Sequence, residues 1–146
     1  MAAQQNISDT SPSLAVLAQA IVSATVREAQ KRSTRVCVAV VDTGGHLVAF
    51  LRMDGIPFHL VTVAQDKATT AAGFGVSTTE LAFGLSRQSK GAAEFFRGRD
   101  RLVLLGGGVP IHRGGELLGG IGVSGSSEAE DEACALAALK ACQPAN

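Results

Sequence analysis

Lys67 lies among Ala64, Ala68 and Ala71 at helical spacing. An apolar setting of this kind can depress a lysine pKa or aim the amine into a cleft. Asp131 and Glu132 follow Glu128 and Glu130. Such a carboxylate pair suits proton transfer, and equally suits the positive end of a helix. Gly106-Gly107-Gly108 offers backbone N–H groups to a carboxylate or oxyanion, but it lacks the spacing of a phosphate loop between a strand and a helix. His46, His59 and His112 make neither an H-x-x-x-H nor an H-E-x-x-H pair, which argues against a zinc hydrolase. A single imidazole is still enough to ligate haem iron. Arg52-Met53-Asp54 adds a cation, a thioether and an acid in one short run.

Two chemistries fit these residues. In one, Lys67 or Arg52 holds a small carboxylic acid, the Gly107 and Gly108 amides stabilise an enolate, and Asp131 or Asp54 moves the proton, giving an isomerase, tautomerase or lyase. In the other, His46 or His59 is an axial ligand to a metal macrocycle. A non-catalytic binding or sensor module is a third reading.

The elements that must carry these residues can be read from periodicity and punctuation. Apolar Leu14, Leu17, Ala18, Ile21, Val22 and Val26 predict a helix over 12–32, with Ser11 as N-cap and Pro12 at its first position. Arg35–Val41 reads as a buried strand and His46–Met53 as its returning partner, joined at Gly44-Gly45 in a tight hairpin. On this reading the tip, Asp42 to Gly45, is scaffold. A helix from Phe58 to about Ala72 follows, then a short one capped by Ser77 or Thr78 with Glu80 completing a capping box. Residues 88–100 read as irregular or briefly helical. Three strands are expected over 102–105, 109–112 and 116–124, and glycines inside the last mark close approach by another backbone or a ligand. A final helix runs from a cap at Ser126 or Ser127 to Cys142. Hairpins dominate this order, so the expected class is α+β with five antiparallel strands.

Composition narrows the function further. Lys plus Arg and Asp plus Glu are 13 each, and no basic stripe breaks the balance, so neither nucleic acid nor an anionic membrane is the expected partner. The opening MAAQQNISDTSPS lacks the basic and apolar regions of a signal peptide, and three cysteines without a C-x-x-C pair fit reduced thiols, so a cytoplasmic location is expected. Trp and Tyr are absent, which removes both an aromatic nucleic-acid platform and a tyrosine acid. Residues 1–11 are expected to be flexible, 12–142 to form one domain and 143–146 a short tail.

Four segments, VAVVDTGGHLVAFLRMDG, AQDKATTAAGFGVSTTEL, LGGGVPI and LLGGIGVSGSSEAEDEACALAAL, occur in the order and spacing of the GlcG/HbpS-like haem-binding (haem-degrading) family. This family is related to the C-terminal domain of PduO-type adenosyltransferases, and the chain resembles it over roughly residues 12–142. The resemblance implies a profilin-like fold, a five-stranded antiparallel sheet with helices on both faces. It also implies homo-oligomers built from dimers up to octamers, and binding of haem or a corrinoid-related ligand. Carried across, Lys67, Thr70, Gly107, Gly108, Asp131 and Glu132 match family motifs, as do Arg52, Met53 and Asp54. The resemblance implies too that the far end of the first hairpin, at Arg52, Met53 and Asp54, faces a cleft beside Lys67 and Gly107-Gly108. Val109 stands where haem-binding members often carry threonine.

Overall fold

The computed structural model describes residues 11–143. Helix α1 (Leu14–Lys31) leads into strands β1 (Cys37–Asp42) and β2 (Leu47–Arg52). Helices α2 (His59–Phe74), α3 (Thr78–Ser86) and α4 (Lys90–Arg97) follow, then β3 (Gly108–Arg113), β4 (Glu116–Ser124) and α5 (Glu128–Cys142). The strands form one antiparallel sheet in the order β2-β1-β4-β3.

The fifth strand expected over 102–105 is not formed. The Val103 N–H donates to the Thr70 hydroxyl at 2.9 Å, and the Gly106 N–H donates to Glu128 Oε1 at 2.7 Å. Side chains of other elements satisfy this backbone, so the segment needs no ladder. The first helix also starts later than expected. Ser13, rather than Ser11, is its N-cap and accepts the Val16 N–H, leaving Pro12 ahead of the helix. The expected flexible segment and tail lie, apart from Ser11 and Gln143, outside the described residues.

Strand β1 explains the layering. Val36, at its entry, then Val38 and Val40 join Ile21 of α1 and Cys134, Ala135 and Ala138 of α5, while Cys37, Ala39 and Val41 pack with Ala64, Ala68 and Ala72 of α2. Helices therefore cover both faces, as the uninterrupted apolar run of β1 requires. The residues that α2 buries in this layer, Ala64, Ala68 and Ala72, are all small. A Cβ at Gly122 would meet the Ala64 carbonyl, and one at Gly120 the Ala68 carbonyl. The glycines of β4 thus let a helix backbone lie directly on the sheet.

Local signals hold these pieces in place. Ser77 and Glu80 form the expected reciprocal capping box on α3. Ser127 caps α5, with Glu128, Glu130 and Asp131 in the first turn. Among the described residues, no helix is long and apolar enough to cross a membrane.

Candidate functional site

The candidate residues of the small-acid chemistry lie toward one end of β1, and His46 of the macrocycle chemistry lies at the other. At the N-terminal end of β1, Cys37 pairs with Arg52 on one side and with Ser124 on the other. Lys67 reaches this end from α2. Its Nζ donates to the Val123 carbonyl at 2.9 Å and lies 3.1 Å from Asp131 Oδ2 of α5, both side chains being 3% exposed. Asp131 Oδ1 accepts the Ser126 N–H at 2.9 Å. Burial pushes the Asp131 carboxyl up, against the pull of the Lys67 ammonium and of the Ser126 and Gly125 N–H groups.

Gly107 closes over the pair with φ of 124°, and a Cβ there would meet the Val123 carbonyl and lie 2.9 Å from Lys67 Nζ. Gly108 lies against the Lys67 carbonyl, and its N–H donates to the buried Thr78 hydroxyl at 3.0 Å. Lys67, Asp131, Gly107 and Gly108 are therefore together, but sealed. Glu132 follows half-buried, one position along α5. A cavity of about 710 Å³ lies elsewhere, against Leu17, Ile111, Arg113, Leu139 and Cys142, and none of the expected site residues lines it.

Arg52, Met53 and Asp54 serve the local fold. Arg52 Nη1 donates to the Ile56 carbonyl at 2.8 Å, and the Met53 sulfur accepts the Val36 N–H at 3.4 Å while packing with both core clusters. The Asp54 carbonyl accepts from Arg35 Nη1. Among the described residues, no hydrogen bond or ion pair joins these three to Lys67 or Asp131. Val109 is 7% exposed and faces the α1/α5 core, so this position presents no ligating atom to solvent.

The other end of β1 is open. Asp42 Oδ1 accepts the N–H groups of Gly44 and His46, each at 2.9 Å, and contacts His46 Nδ1 at 3.2 Å. The His46 backbone N–H, first, and then, against the opposing effect of burial, the Gly44 N–H and the imidazole hold the Asp42 carboxyl below its ordinary range. With Nδ1–H given to the carboxylate, Nε2 is the ring nitrogen left with a lone pair, on a side chain 82% exposed. The peptide before His46 is gripped twice. Asp42 takes its N–H, and Arg101 Nη2 donates to its Gly45 oxygen at 2.8 Å. Arg101 was not legible as a site residue, since it lies in an irregular run 56 positions from Gly45.

His59 begins α2 as an exposed side chain, its ring 4.1 Å from that of the exposed Phe58. No group of three or more His, Cys, Asp or Glu side chains gathers to hold a bare metal ion among the described residues. A macrocycle that brings its own four nitrogens asks for less. One free imidazole nitrogen suffices, and His46 and His59 both fit.

Comparisons with known proteins bear on these residues. The family model described as haem degrading protein HbpS-like matches residues 15–140. Protein GlcG of Escherichia coli (strain K12) is 38% identical over 108 residues, covering 74% of this chain and 78% of its own length. The crystal structure of HbpS superposes with a TM-score of 0.80 at 31% identity, covering 97% of this chain and 98% of that one. A crystal structure of a PduOC:heme complex gives a TM-score of 0.79 at 29% identity, covering 90% and 95%. The chain belongs to the HbpS-like family.

Proposed function

We propose that the protein binds haem or a closely related tetrapyrrole through one axial imidazole, that of His46, with His59 as the other residue able to serve. One observation carries this reading. A carboxylate holds Nδ1 of an exposed histidine and leaves Nε2 to the solvent, the arrangement by which second-shell carboxylates orient metal-bound imidazoles. Family membership and the haem-bound neighbour support it.

When bound, haem iron supplies oxidative chemistry, and degradation of the macrocycle is the activity named in the family description. The chain's own part is to fix the imidazole tautomer through Asp42 and to brace the preceding peptide through Arg101. Assembly into dimer-based homo-oligomers up to octamers, a profilin-like relationship of the fold and a cytoplasmic location belong to the same proposal. The small-acid enzyme has Lys67 or Arg52 holding the carboxylate, whereas Lys67 Nζ is bonded to Val123 and Asp131 and Arg52 Nη1 donates to the Ile56 carbonyl.

Hemin titration of the purified protein, followed at the Soret band, tests the reading. Saturable binding near one haem per chain is expected, lost in His46→Ala and retained in His59→Ala. Loss in His59→Ala alone would move the ligand to the start of α2. Weak binding indifferent to both changes would reject axial ligation by either histidine.

A further inference from the structure

Arg101 has a backbone that a residue of its kind rarely adopts. Its φ is 60°, in the left-handed region, where non-glycine residues are uncommon and are held only by strong surroundings. Those surroundings are visible. The buried Thr70 hydroxyl of α2 donates to the Asp66 carbonyl at 2.7 Å and accepts the Val103 N–H at 2.9 Å, with the Arg101 carbonyl 3.4 Å away. This clasp fixes the 101–103 backbone against α2 and sends the arginine side chain across to the β1–β2 hairpin. There Nη2 donates to the Gly45 carbonyl at 2.8 Å and reaches Thr69 Oγ1 at 3.4 Å.

Only Nη2 is committed in this way. Among the described residues, Nε and Nη1 make no hydrogen bond, and the residue is exposed. Asp66 lies within electrostatic reach of Arg101 and of Asp100, and among the described residues no ion pair joins Arg101 to either. Burial pushes the Asp66 carboxyl up, against the pull of the Arg101 guanidinium. One peptide group away stands His46, with Nε2 open. An imidazole nitrogen without a partner among the described residues and a cation with two free donor positions therefore meet at one turn.

We propose that Arg101 is the carboxylate-binding residue of the His46 site and restricts it to tetrapyrroles with free carboxylate side chains, such as haem with its propionates, over macrocycles whose side chains are esters or amides. This rests on the haem reading above. A guanidinium suits the task because its planar N–H groups match a carboxylate and because it stays charged at every working pH.

The test compares hemin with hemin dimethyl ester, both delivered in the same detergent, on the full chain and on Arg101→Gln, Arg101→Lys and His46→Ala. The parent should bind hemin about tenfold more tightly than the ester, a difference of one charge-assisted contact. Arg101→Gln should close most of this gap, weakening hemin about tenfold more than the ester with the Soret maximum unmoved, since loss of the brace on Gly45 touches both ligands alike. Arg101→Lys should recover most of the hemin affinity. Hemin binding that needs His46 but ignores both Arg101→Gln and esterification would overturn the role of Arg101 and leave the haem reading standing. Absence of saturable binding, or binding indifferent to His46→Ala, would overturn both. If Arg101→Gln fails to fold, the ester on the parent protein and Arg101→Lys decide the matter.

Discussion

The two ends of β1 use the same raw material in opposite ways. At the end near Cys37, an amine and a carboxylate are buried at 3% exposure each, roofed by a glycine too close to admit a methyl group. At the hairpin end, a carboxylate, an imidazole and a guanidinium sit in water, tied together through a single peptide. The first arrangement holds α2, β4 and α5 together and offers nothing to a ligand. The second leaves one nitrogen lone pair and two guanidinium donor positions unspent. Charged residues mark a site only where their hydrogen-bonding capacity is left over.

Removing one partner of the closed end gives the sharpest break in this comparison. Asp131→Ala strands the Lys67 ammonium in the interior and should cost about 3–5 kcal/mol by urea denaturation. Replacing both with apolar residues of similar volume, Lys67→Met with Asp131→Leu, should return stability to within about 1 kcal/mol of the parent or above it. A cost below about 1 kcal/mol for Asp131→Ala would show that water reaches this end after all.

Gly122→Ala probes the same half through backbone packing. The added methyl group meets the Ala64 carbonyl, and helix and sheet must separate, at about 3 kcal/mol. A near-neutral outcome would mean that α2 does not rest on β4 as described.

At the open end, effects should appear in binding before stability. Asp42→Asn removes the charge behind the His46 tautomer and should weaken hemin by about 10-fold or more, while the denaturation midpoint barely moves. Unchanged affinity would strip the carboxylate of its orienting role.

The smallest effect is one of pH. Asp42 has a folded pKa below its ordinary 3.8, set mainly by the His46 N–H. It therefore contributes stability that is present above that value and lost as pH falls through the folded pKa. Protection factors at the Gly44 and His46 amides, which take out the intrinsic pH dependence of exchange, should hold down to about pH 4 and fall below it. In Asp42→Asn this pH dependence should vanish.

Legibility in the sequence followed the range of the interactions. The β1–β2 hairpin, the Ser77–Glu80 capping box and the Ser127 cap depend on residues a few positions apart, and each formed where its signal stood. The glycines of β4 announced a close approach, and α2 supplied it. Leu102 to Leu105 has the composition of a strand, but its backbone donors are taken by Thr70 and Glu128 from elsewhere in the chain. Lys67 could be read as unusual; its partner, 64 residues away, could not be read as a partner. The glycines of the hairpin tip mark it as scaffold, and Arg101, which grips it from 56 positions away, carries no local pattern.

The thiols have a consequence of their own. Burial pushes up all three, Cys134 to about 11, so that thiol is ionised in roughly one molecule in ten thousand at neutral pH. The Met53 sulfur is occupied by a backbone N–H, and the chain has neither Trp nor Tyr. Peroxide or an oxidising metal centre at the surface would thus meet few side chains that readily give up electrons. The fold is slow-burning material: damage that begins at a bound redox centre has little chemistry along which to spread into the protein.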